Sequence, residues 1–254
     1  MSEMTLEVWP GQDKGAENPV VSIVIPMHDE QDSIGGIIEE LQETWGGEDA
    51  PEYEVIVVDD GSSDDSGVRV ADVAARATVT STLVRHRRRL GKSEAIRSGV
   101  ECARGKWIGT LDGDGQNDPA DLLRLWHAVQ KAARDGATLG IGFRSPRHDP
   151  IFKRAFSLAG NIATASLMGH ARFDTTCGLT IFRRSDYQRL PAFGNMHRFL
   201  PALFLSMQGS VVSVPVVGRR RLQGHSKFGY ADRLLSGCWD LVGVAWLSRR
   251  LLPF

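Results

Sequence analysis

Residues 20–60, VVSIVIPMHDEQDSIGGIIEELQETWGGEDAPEYEVIVVDD, decide the fold. Residues 20–25 form a continuous run rich in β-branched side chains, which is typical of a strand buried on both faces, and Pro26 is expected to end it. Apolar residues at helical spacing then predict a helix with Asp32 or Ser33 as its N-cap. Residues 53–58 predict a second buried strand. A strand, a helix and a strand within about 40 residues form a βαβ unit, which predicts an α/β fold with a parallel sheet.

Further segments continue this alternation along the chain. Strands are predicted at residues 80–84, 107–111 and 137–143, and helices at 93–103, 119–135 and 153–168. The turn after the first strand lacks the G-x-G-x-x-G pattern of dinucleotide folds. His86 stands where a P-loop ending in Gly91-Lys92-Ser93 would require glycine, so both of these nucleotide-binding folds are disfavoured.

Residues 106–119, KWIGTLDGDGQNDP, place two carboxylates after a predicted buried strand. Asp112 and Asp114 are separated by one glycine and followed by another, so the backbone can turn sharply and a ligand can approach closely. Paired carboxylates without histidine or cysteine favour a hard cation such as Mg²⁺ or Mn²⁺, and we hypothesise that this cation holds a diphosphate. The motif alone fits a metal site or a simple turn equally well. Asp118 before Pro119 is typical of a helix N-cap.

Two pairs of acids are expected to meet at one edge of the sheet. Asp59 and Asp60 follow the second strand, and Asp112 and Asp114 follow the strand at residues 107–111. Ligands of parallel sheets bind at the carboxyl ends of the strands. The sequence therefore predicts a site at this edge.

Charge is distributed unevenly over the 254 residues. The net charge of −1 combines −16 in residues 1–76 with +15 in residues 77–254. The basic second part can meet phosphate groups, anionic lipid or nucleic acid. An aromatic content of 7% provides no extended stacking surface, which disfavours nucleic acid as a partner. The three cysteines lack metal-type or disulfide spacing and no signal peptide is evident, so a reducing, cytoplasmic environment is expected.

Several long motifs carry a resemblance to a known family. VSIVIPMHDE (21–30), VIVVDDGSSDDS (55–66), LGKSEAIRSGV (90–100) and GTLDGDGQNDP (109–119) resemble, in order and spacing, the family 2 glycosyltransferases with the GT-A fold. GFRSPRHD (142–149), DTTCGLTIFRR (174–184), NMHRFLPALF (195–204) and RRRLQGHSKFGY (219–230) resemble the branch that glycosylates polyprenyl phosphates, such as dolichyl or undecaprenyl phosphate. The resemblance covers residues 20–250 and favours the metal interpretation of the paired carboxylates.

The resemblance implies a role for residues at matching positions. The nucleotide-sugar is expected to contact Pro26, Glu30, Asp59, Asp60, Lys92 and Asp112. The metal ligands are expected to be Asp112, Asp114 and Gln116. The acceptor phosphate is expected to contact Arg144, Arg147, Arg198, Arg221 and Lys227. The catalytic set is Asp112, Asp114, Arg144 and Arg147. His28 and Asp29 replace the usual tyrosine and asparagine, which leaves UDP and GDP both open, and Phe228 replaces a frequent tyrosine.

The implied activity is metal-dependent, inverting transfer of a sugar from a nucleotide-diphosphate sugar to a polyprenyl monophosphate. Two alternatives stay open. One is a transferase of the same fold that acts on a soluble saccharide or a diacylglycerol, and the other is a non-catalytic protein that binds phosphate or lipid surfaces through its basic residues.

The expected organisation has three parts. Residues 1–19 are expected to be disordered or extended, residues 20–232 to form the GT-A domain, and residues 233–254 to form an amphipathic helix that either lies on a membrane or packs on the domain. That helix is too short and too polar to span a bilayer, which takes about 20 apolar residues. The expected location is cytoplasmic and peripheral, on the inner face of the cytoplasmic membrane.

Overall fold

A computed structural model describes residues 4–9, 19–133, 136–144 and 177–219, with 243, 244, 246, 247 and 250. The strands are β1 Met4–Trp9, β2 Val21–Met27, β3 Tyr53–Asp59, β4 Ser81–His86, β5 Trp107–Thr110, β6 Thr138–Arg144, β7 Thr180–Arg183 and β8 Ser210–Val216. The helices are α1 Ile34–Trp45, α2 Ser66–Ala74, α3 Lys92–Cys102, α4 Pro119–Ala132, α5 Arg184–Gln188 and α6 Leu200–Ser206, with a 3₁₀ turn at Met196–Arg198.

The strands form one eight-stranded sheet in the order β1-β4-β3-β2-β5-β7-β6-β8. Strands β4, β3, β2 and β5 are parallel, and β6 and β8 are parallel to each other. Strand β7 runs antiparallel to both β5 and β6, and β1 runs antiparallel to β4. The predicted α/β architecture, with a mostly parallel central sheet, is confirmed.

Helices cover both faces of this sheet. In β2, Ile23 and Ile25 pack in a core cluster with α1, α2 and α4. Val24 points to the opposite face and packs in a second cluster with α3 and α6. This alternation is the two-residue period of a strand, and every residue of β2 and β3 is buried. The two β-branched runs of the sequence therefore form the centre of the core.

The structure differs from the sequence-based expectations at several elements. Strand β2 continues through Pro26 to Met27, because β5 pairs with β2 only as far as Val24 and a residue without an N–H donor is tolerated beyond that point. Strand β1, at the edge of the sheet, and helix α2 were not predicted; β1 leaves four of its six residues exposed and has no long apolar run. The predicted helix at residues 153–168 and most of the predicted helix at 233–254 lie outside the described residues.

Candidate active site

The carboxyl ends of β2, β3 and β5 bring together the acids that the sequence selected. Asp59 is the last residue of β3 and is buried, and its Oδ1 atom accepts a hydrogen bond from the Ser62 backbone N at 2.8 Å. Pro26 lies near the end of β2, and Glu30 in the turn that follows. The Glu30 Oε2 atom lies 3.3 Å from Ser33 Oγ. These residues therefore lie at the predicted edge of the sheet.

The loops after β2 and β3 brace each other. The Asp29 backbone N donates to Ser62 Oγ at 2.9 Å, and the Ser63 backbone N donates to Asp29 Oδ1 at 2.8 Å. The Glu30 backbone N donates to Ser66 Oγ at 2.8 Å. Asp29 has a φ of 51°, a left-handed conformation that aspartate and asparagine tolerate better than most residues. Asp29, which departs from the family pattern, thus braces a loop in this protein.

Loop contacts hold Asp112 and Asp114 beyond the end of β5. Ser33 Oγ donates to the Gly113 carbonyl at 2.8 Å, which ties this loop to the start of α1. The Gln116 backbone N donates to Asp114 Oδ1 at 3.1 Å. Asp118 accepts from the Ala120 backbone N at 2.8 Å and caps α4, as the sequence predicted. The carboxylate pair is therefore built into an ordered turn between β5 and α4.

A glycine that sequence reasoning missed lies against Asp112. Thr110 Oγ1 donates to the Gly178 carbonyl at 2.7 Å, so the segment before β7 is fastened to the end of β5. A Cβ atom on Gly178 would overlap all three atoms of the Asp112 carboxyl group. The position of Asp112 therefore requires glycine at residue 178. The only signal in the sequence is its place in the segment DTTCGLTIFRR.

Lys92 and Asp112, both selected from the sequence, form an ion pair. The Lys92 Nζ atom lies 2.5 Å from Asp112 Oδ1, and both side chains are partly exposed. Lys92 is the first residue of α3, so the end of β5 and the start of α3 converge here. The site thus places an ammonium group on one of the two carboxylates predicted to hold a cation.

The donor atoms suit a hard divalent cation. Within the described ranges, no group of three or more histidine, cysteine, aspartate or glutamate residues surrounds a possible ion. Asp112 and Asp114 alone would leave coordination positions for phosphate oxygens and water. Mg²⁺ commonly binds in this way, through one or two carboxylates together with substrate phosphates. The residues present therefore fit Mg²⁺ or Mn²⁺ held jointly with a diphosphate.

Asp60 is enclosed by hydrogen-bond donors. Its Oδ1 atom accepts from the Leu90 backbone N at 2.7 Å and lies 2.9 Å from His86 Nδ1, while Oδ2 accepts from the Gly91 backbone N at 2.8 Å. Burial acts to raise the pKa of this carboxyl group, but the hydrogen bonds outweigh burial and the pKa is lowered below its ordinary value. Asp60 is therefore ionised, and both of its carboxylate oxygens accept hydrogen bonds from within the protein.

His197 lies beside the lysine–aspartate pair and was also missed. It belongs to the 3₁₀ turn, and its Nδ1 atom lies 2.7 Å from Ser93 Oγ, at the start of α3. Burial, together with the charge of Lys92, lowers the pKa of this imidazole to about 3. His197 is therefore neutral at physiological pH. The sequence analysis selected its neighbour Arg198, because the family resemblance implied a role for that position.

The predicted acceptor-phosphate residues are only partly described. Arg198 is partly exposed at the end of the 3₁₀ turn, and Arg144 is the last residue of β6. Arg147, Arg221 and Lys227 lie outside the described residues.

Arg219, the first residue of the motif at residues 219–230, is held in place by two carboxylates. Its guanidinium group pairs with Glu40 at 2.7 and 2.8 Å and with Asp118 at 2.5 Å, and its backbone N donates to the Gln116 carbonyl at 3.0 Å. Arg219 therefore lies beside the loop that carries Asp112 and Asp114.

Comparison with known proteins identifies the family. The model of "Glycosyl transferase family 2" matches residues 22–190, which is more than half of the chain. The chain belongs to glycosyl transferase family 2. The glycosyltransferase activity and the GT-A fold predicted from the sequence are thereby confirmed.

Curated members of family 2 resemble the chain over most of its length. Dodecaprenyl-phosphate galacturonate synthase of Rhizobium johnstonii is 30% identical over 97% of this chain and 72% of its own length. Undecaprenyl-phosphate 4-deoxy-4-formamido-L-arabinose transferase of Pseudomonas fluorescens is 34% identical over 87% of this chain, and that of Klebsiella pneumoniae is 32% identical over 87%. The chain spans 63% and 66% of the length of these two transferases.

A solved structure of similar fold is that of glucosyl-3-phosphoglycerate synthase of Mycobacterium tuberculosis in complex with Mn²⁺, UDP and phosphoglyceric acid. Its TM-score is 0.66 at 20% identity, over 93% of this chain and 80% of that one. A second structure of that enzyme, with Mg²⁺ and UDP, has a TM-score of 0.66 at 18% identity, over 93% of this chain and 81% of that one. At this level of identity, the likeness supports the fold.

Proposed function

We propose that this glycosyltransferase moves a sugar from a nucleotide-diphosphate sugar to a polyprenyl monophosphate, with inversion at the anomeric carbon. The observation that carries the proposal is the pair Asp112 and Asp114 at the end of β5, with Lys92 on Asp112, in a family 2 chain. The pair offers carboxylate oxygens to a divalent cation, and the lysine offers a positive charge to a diphosphate. We assign nucleotide contacts to Pro26, Glu30, Asp59 and Lys92.

A divalent cation bound to Asp112 and Asp114 would act as a Lewis acid and stabilise the charge of the departing diphosphate. Lys92 lies close enough to contribute a second positive charge at the same place. Gly178 keeps Asp112 in position by leaving room for its carboxyl group.

The acceptor requires no strong base. A phosphate monoester has a second pKa of about 6 and is already largely dianionic at neutral pH. The described residues agree with this, because the pKa of His197 is lowered to about 3, which makes it a weak base, and Asp60 is occupied by internal hydrogen bonds. We propose that Arg144, Arg147, Arg198, Arg221 and Lys227 offset the repulsion between the two anions.

The polyprenyl phosphate acceptor rests on the relatives. The galacturonate synthase and the arabinose transferases are named for dodecaprenyl and undecaprenyl phosphate, and the first aligns with 97% of this chain. The second candidate acceptor is a soluble molecule such as a saccharide, or a glycerolipid; the soluble acceptor is supported by the structural neighbour, which was solved with the small soluble compound phosphoglyceric acid.

We propose peripheral contact with the inner face of the cytoplasmic membrane. None of the helices in the described part of the chain is long and apolar enough to cross a bilayer. Val244 is buried in the second core cluster, whereas Trp246 is 59% exposed and lies under the Arg250 guanidinium at 4.7 Å. An exposed tryptophan beside an arginine suits an anionic interface. Flotation with anionic vesicles, reduced for Trp246→Ser, tests this contact; equal flotation of both proteins would contradict it.

The test of the donor site is calorimetric titration with UDP and with GDP, each with and without Mn²⁺. The wild type is expected to bind one nucleotide in a metal-dependent way, and the Asp112→Ala, Asp114→Ala double variant is expected to lose that binding. Absence of binding to both nucleotides in the presence of metal would refute the donor site and favour the non-catalytic alternative.

The test of the acceptor is transfer of radiolabelled sugar in detergent from a panel of UDP- and GDP-sugars. Undecaprenyl phosphate, diacylglycerol and a soluble saccharide are offered in parallel. Label is expected on the polyprenyl phosphate alone. Label on either of the other two acceptors, with none on the polyprenyl phosphate, would assign the second candidate.

A further inference from the structure

We infer that Asp60 and His86 are positioning residues that place Lys92 against Asp112, and that Asp60 is not a nucleotide ligand. The inference rests on the proposed function only in taking Lys92 and Asp112 as parts of the donor site. It revises the role that family resemblance implied for Asp60. The evidence is a continuous chain of hydrogen bonds that runs from Ser98 in α3, through His86 and Asp60, to the two backbone amides that precede Lys92.

Both carboxylate oxygens of Asp60 already accept hydrogen bonds inside the protein. His86 Nδ1 and the Leu90 backbone N meet its Oδ1 atom at 2.9 and 2.7 Å, and the Gly91 backbone N meets Oδ2 at 2.8 Å. The Asp60 side chain is only 6% exposed. A ribose or a base could reach this carboxylate only by displacing buried donors, which would then be left unsatisfied.

His86 fixes the orientation of that carboxylate. Its ring is buried, with Nδ1 at 2.9 Å from Asp60 Oδ1 and Nε2 at 2.9 Å from Ser98 Oγ. An ionised Asp60 can only accept, so Nδ1 carries the proton, and Nε2 then accepts from the Ser98 hydroxyl. Because Ser98 lies in α3, the imidazole links the end of β4 to the helix that begins at Lys92.

The two backbone groups that Asp60 binds immediately precede Lys92. Gly91 is the N-cap of α3 and has a φ of 98°, which glycine adopts readily. Because Asp60 holds the backbone amides of Leu90 and Gly91, it fixes the position at which α3 begins. The Lys92 side chain then reaches Asp112, with Nζ 2.5 Å from Oδ1. Loss of the Asp60 contacts is therefore expected to loosen this ion pair.

The test follows the Lys92 side chain by its reactivity. The rate at which an amine reagent acylates Lys92 is compared with the rate at the exposed Lys131, and both are measured by mass spectrometry. Asp60→Asn places an NH₂ group against one of the two backbone donors, Leu90 N or Gly91 N, and is expected to raise Lys92 labelling several-fold. Asp112→Asn, which weakens the ion pair itself, is the positive control and is expected to raise it similarly. Unchanged labelling in Asp60→Asn, with raised labelling in Asp112→Asn, would overturn the inference.

Two substitutions of His86 separate positioning from general stability. The amide nitrogen of asparagine overlays Nδ1 of histidine, so His86→Asn keeps the donor to Asp60, whereas the amide of glutamine overlays Nε2, so His86→Gln keeps only the contact with Ser98. His86→Gln is expected to follow Asp60→Asn in Lys92 labelling, and His86→Asn the wild type. Equal labelling in the two His86 variants, at similar melting temperatures, would contradict the role of the Asp60 contact.

Nucleotide affinity supplies a second readout. Removal of groups that orient a metal-site residue typically reduces affinity by about 10- to 100-fold. Asp60→Asn is expected to weaken Mn²⁺-dependent nucleotide binding to that extent in the wild-type background and to have little further effect in Lys92→Met. The same loss in both backgrounds would show that Asp60 acts on the nucleotide without Lys92. If the wild type binds no nucleotide, the proposed function fails, and the labelling experiment still decides the inference.

Discussion

Substitution of Gly178 by alanine isolates the position of Asp112 from the stability of the fold. The added Cβ atom would lie inside the 3.0 Å that real Cβ contacts essentially never cross, and its three nearest atoms would be those of the Asp112 carboxyl group. Gly178 does not have a left-handed φ, so alanine can adopt its backbone conformation. The carboxyl group must therefore withdraw by about 1 Å, a displacement that typically reduces catalysis by about 100-fold.

A loss of 100-fold in kcat/KM corresponds to about 2.7 kcal/mol of transition-state stabilisation. Sugar transfer and Mn²⁺-dependent nucleotide affinity are both expected to fall in Gly178→Ala, while the free energy of unfolding changes by less than about 1 kcal/mol. Gly36→Ala is the matched control. Gly36 is exposed within α1, and nothing lies within 4 Å of a Cβ atom there. The free energy of unfolding is therefore expected to rise by about 0.5–1 kcal/mol, and the activity to be retained. Wild-type activity in a folded Gly178→Ala variant would refute the role of Asp112.

Three further predictions follow from single contacts. Lys92→Met removes the ammonium group from Asp112, so the affinity for Mn²⁺ without nucleotide, measured by electron paramagnetic resonance, is expected to increase several-fold. Lys131→Met is the distant control. An unchanged affinity in Lys92→Met, or an equal increase in Lys131→Met, would contradict a competition between lysine and metal. The pKa of His197 is lowered from 6.5 to about 3, so the unfolded state binds the extra proton and stability falls as the pH decreases from 6.5 to 3, by up to about 1.4 kcal/mol per pH unit. Urea unfolding over this range is expected to show a shallower dependence in His197→Gln, and an identical slope would contradict the shift. Gly99→Ala places a Cβ atom against the buried Val24 side chain, and we expect a loss of about 1–3 kcal/mol in urea unfolding, whereas wild-type stability would show that the α3 interface can adjust.

Local patterns in the sequence were sufficient to predict those strands and helices whose structure depends on a single segment. The β-branched runs of β2 and β3 predicted buried strands, because burial on both faces selects such residues at every position. Asp118 before Pro119 predicted the start of α4 for the same local reason. Contacts between distant segments gave no such signal. Asp60 and His86 are 26 positions apart, and Thr110 meets Gly178 across 68 positions, so only the sheet order brings these pairs together.

The pair Lys92–Asp112 offers a solution to an electrostatic problem of this site. In the proposed function, a diphosphate binds at an edge that carries Asp59, Asp112 and Asp114, and two like charges about 4 Å apart repel by about 4 kcal/mol at an effective dielectric constant of 20. Lys92 neutralises one carboxylate before any ligand arrives. A divalent cation bound to Asp112 would leave the ammonium group available to the incoming phosphates, and phosphates that attract the ammonium group would leave Asp112 available to the cation. Each ligand would thus favour the binding of the other, which is why we expect their binding to be cooperative and expect Lys92→Met to abolish that cooperativity.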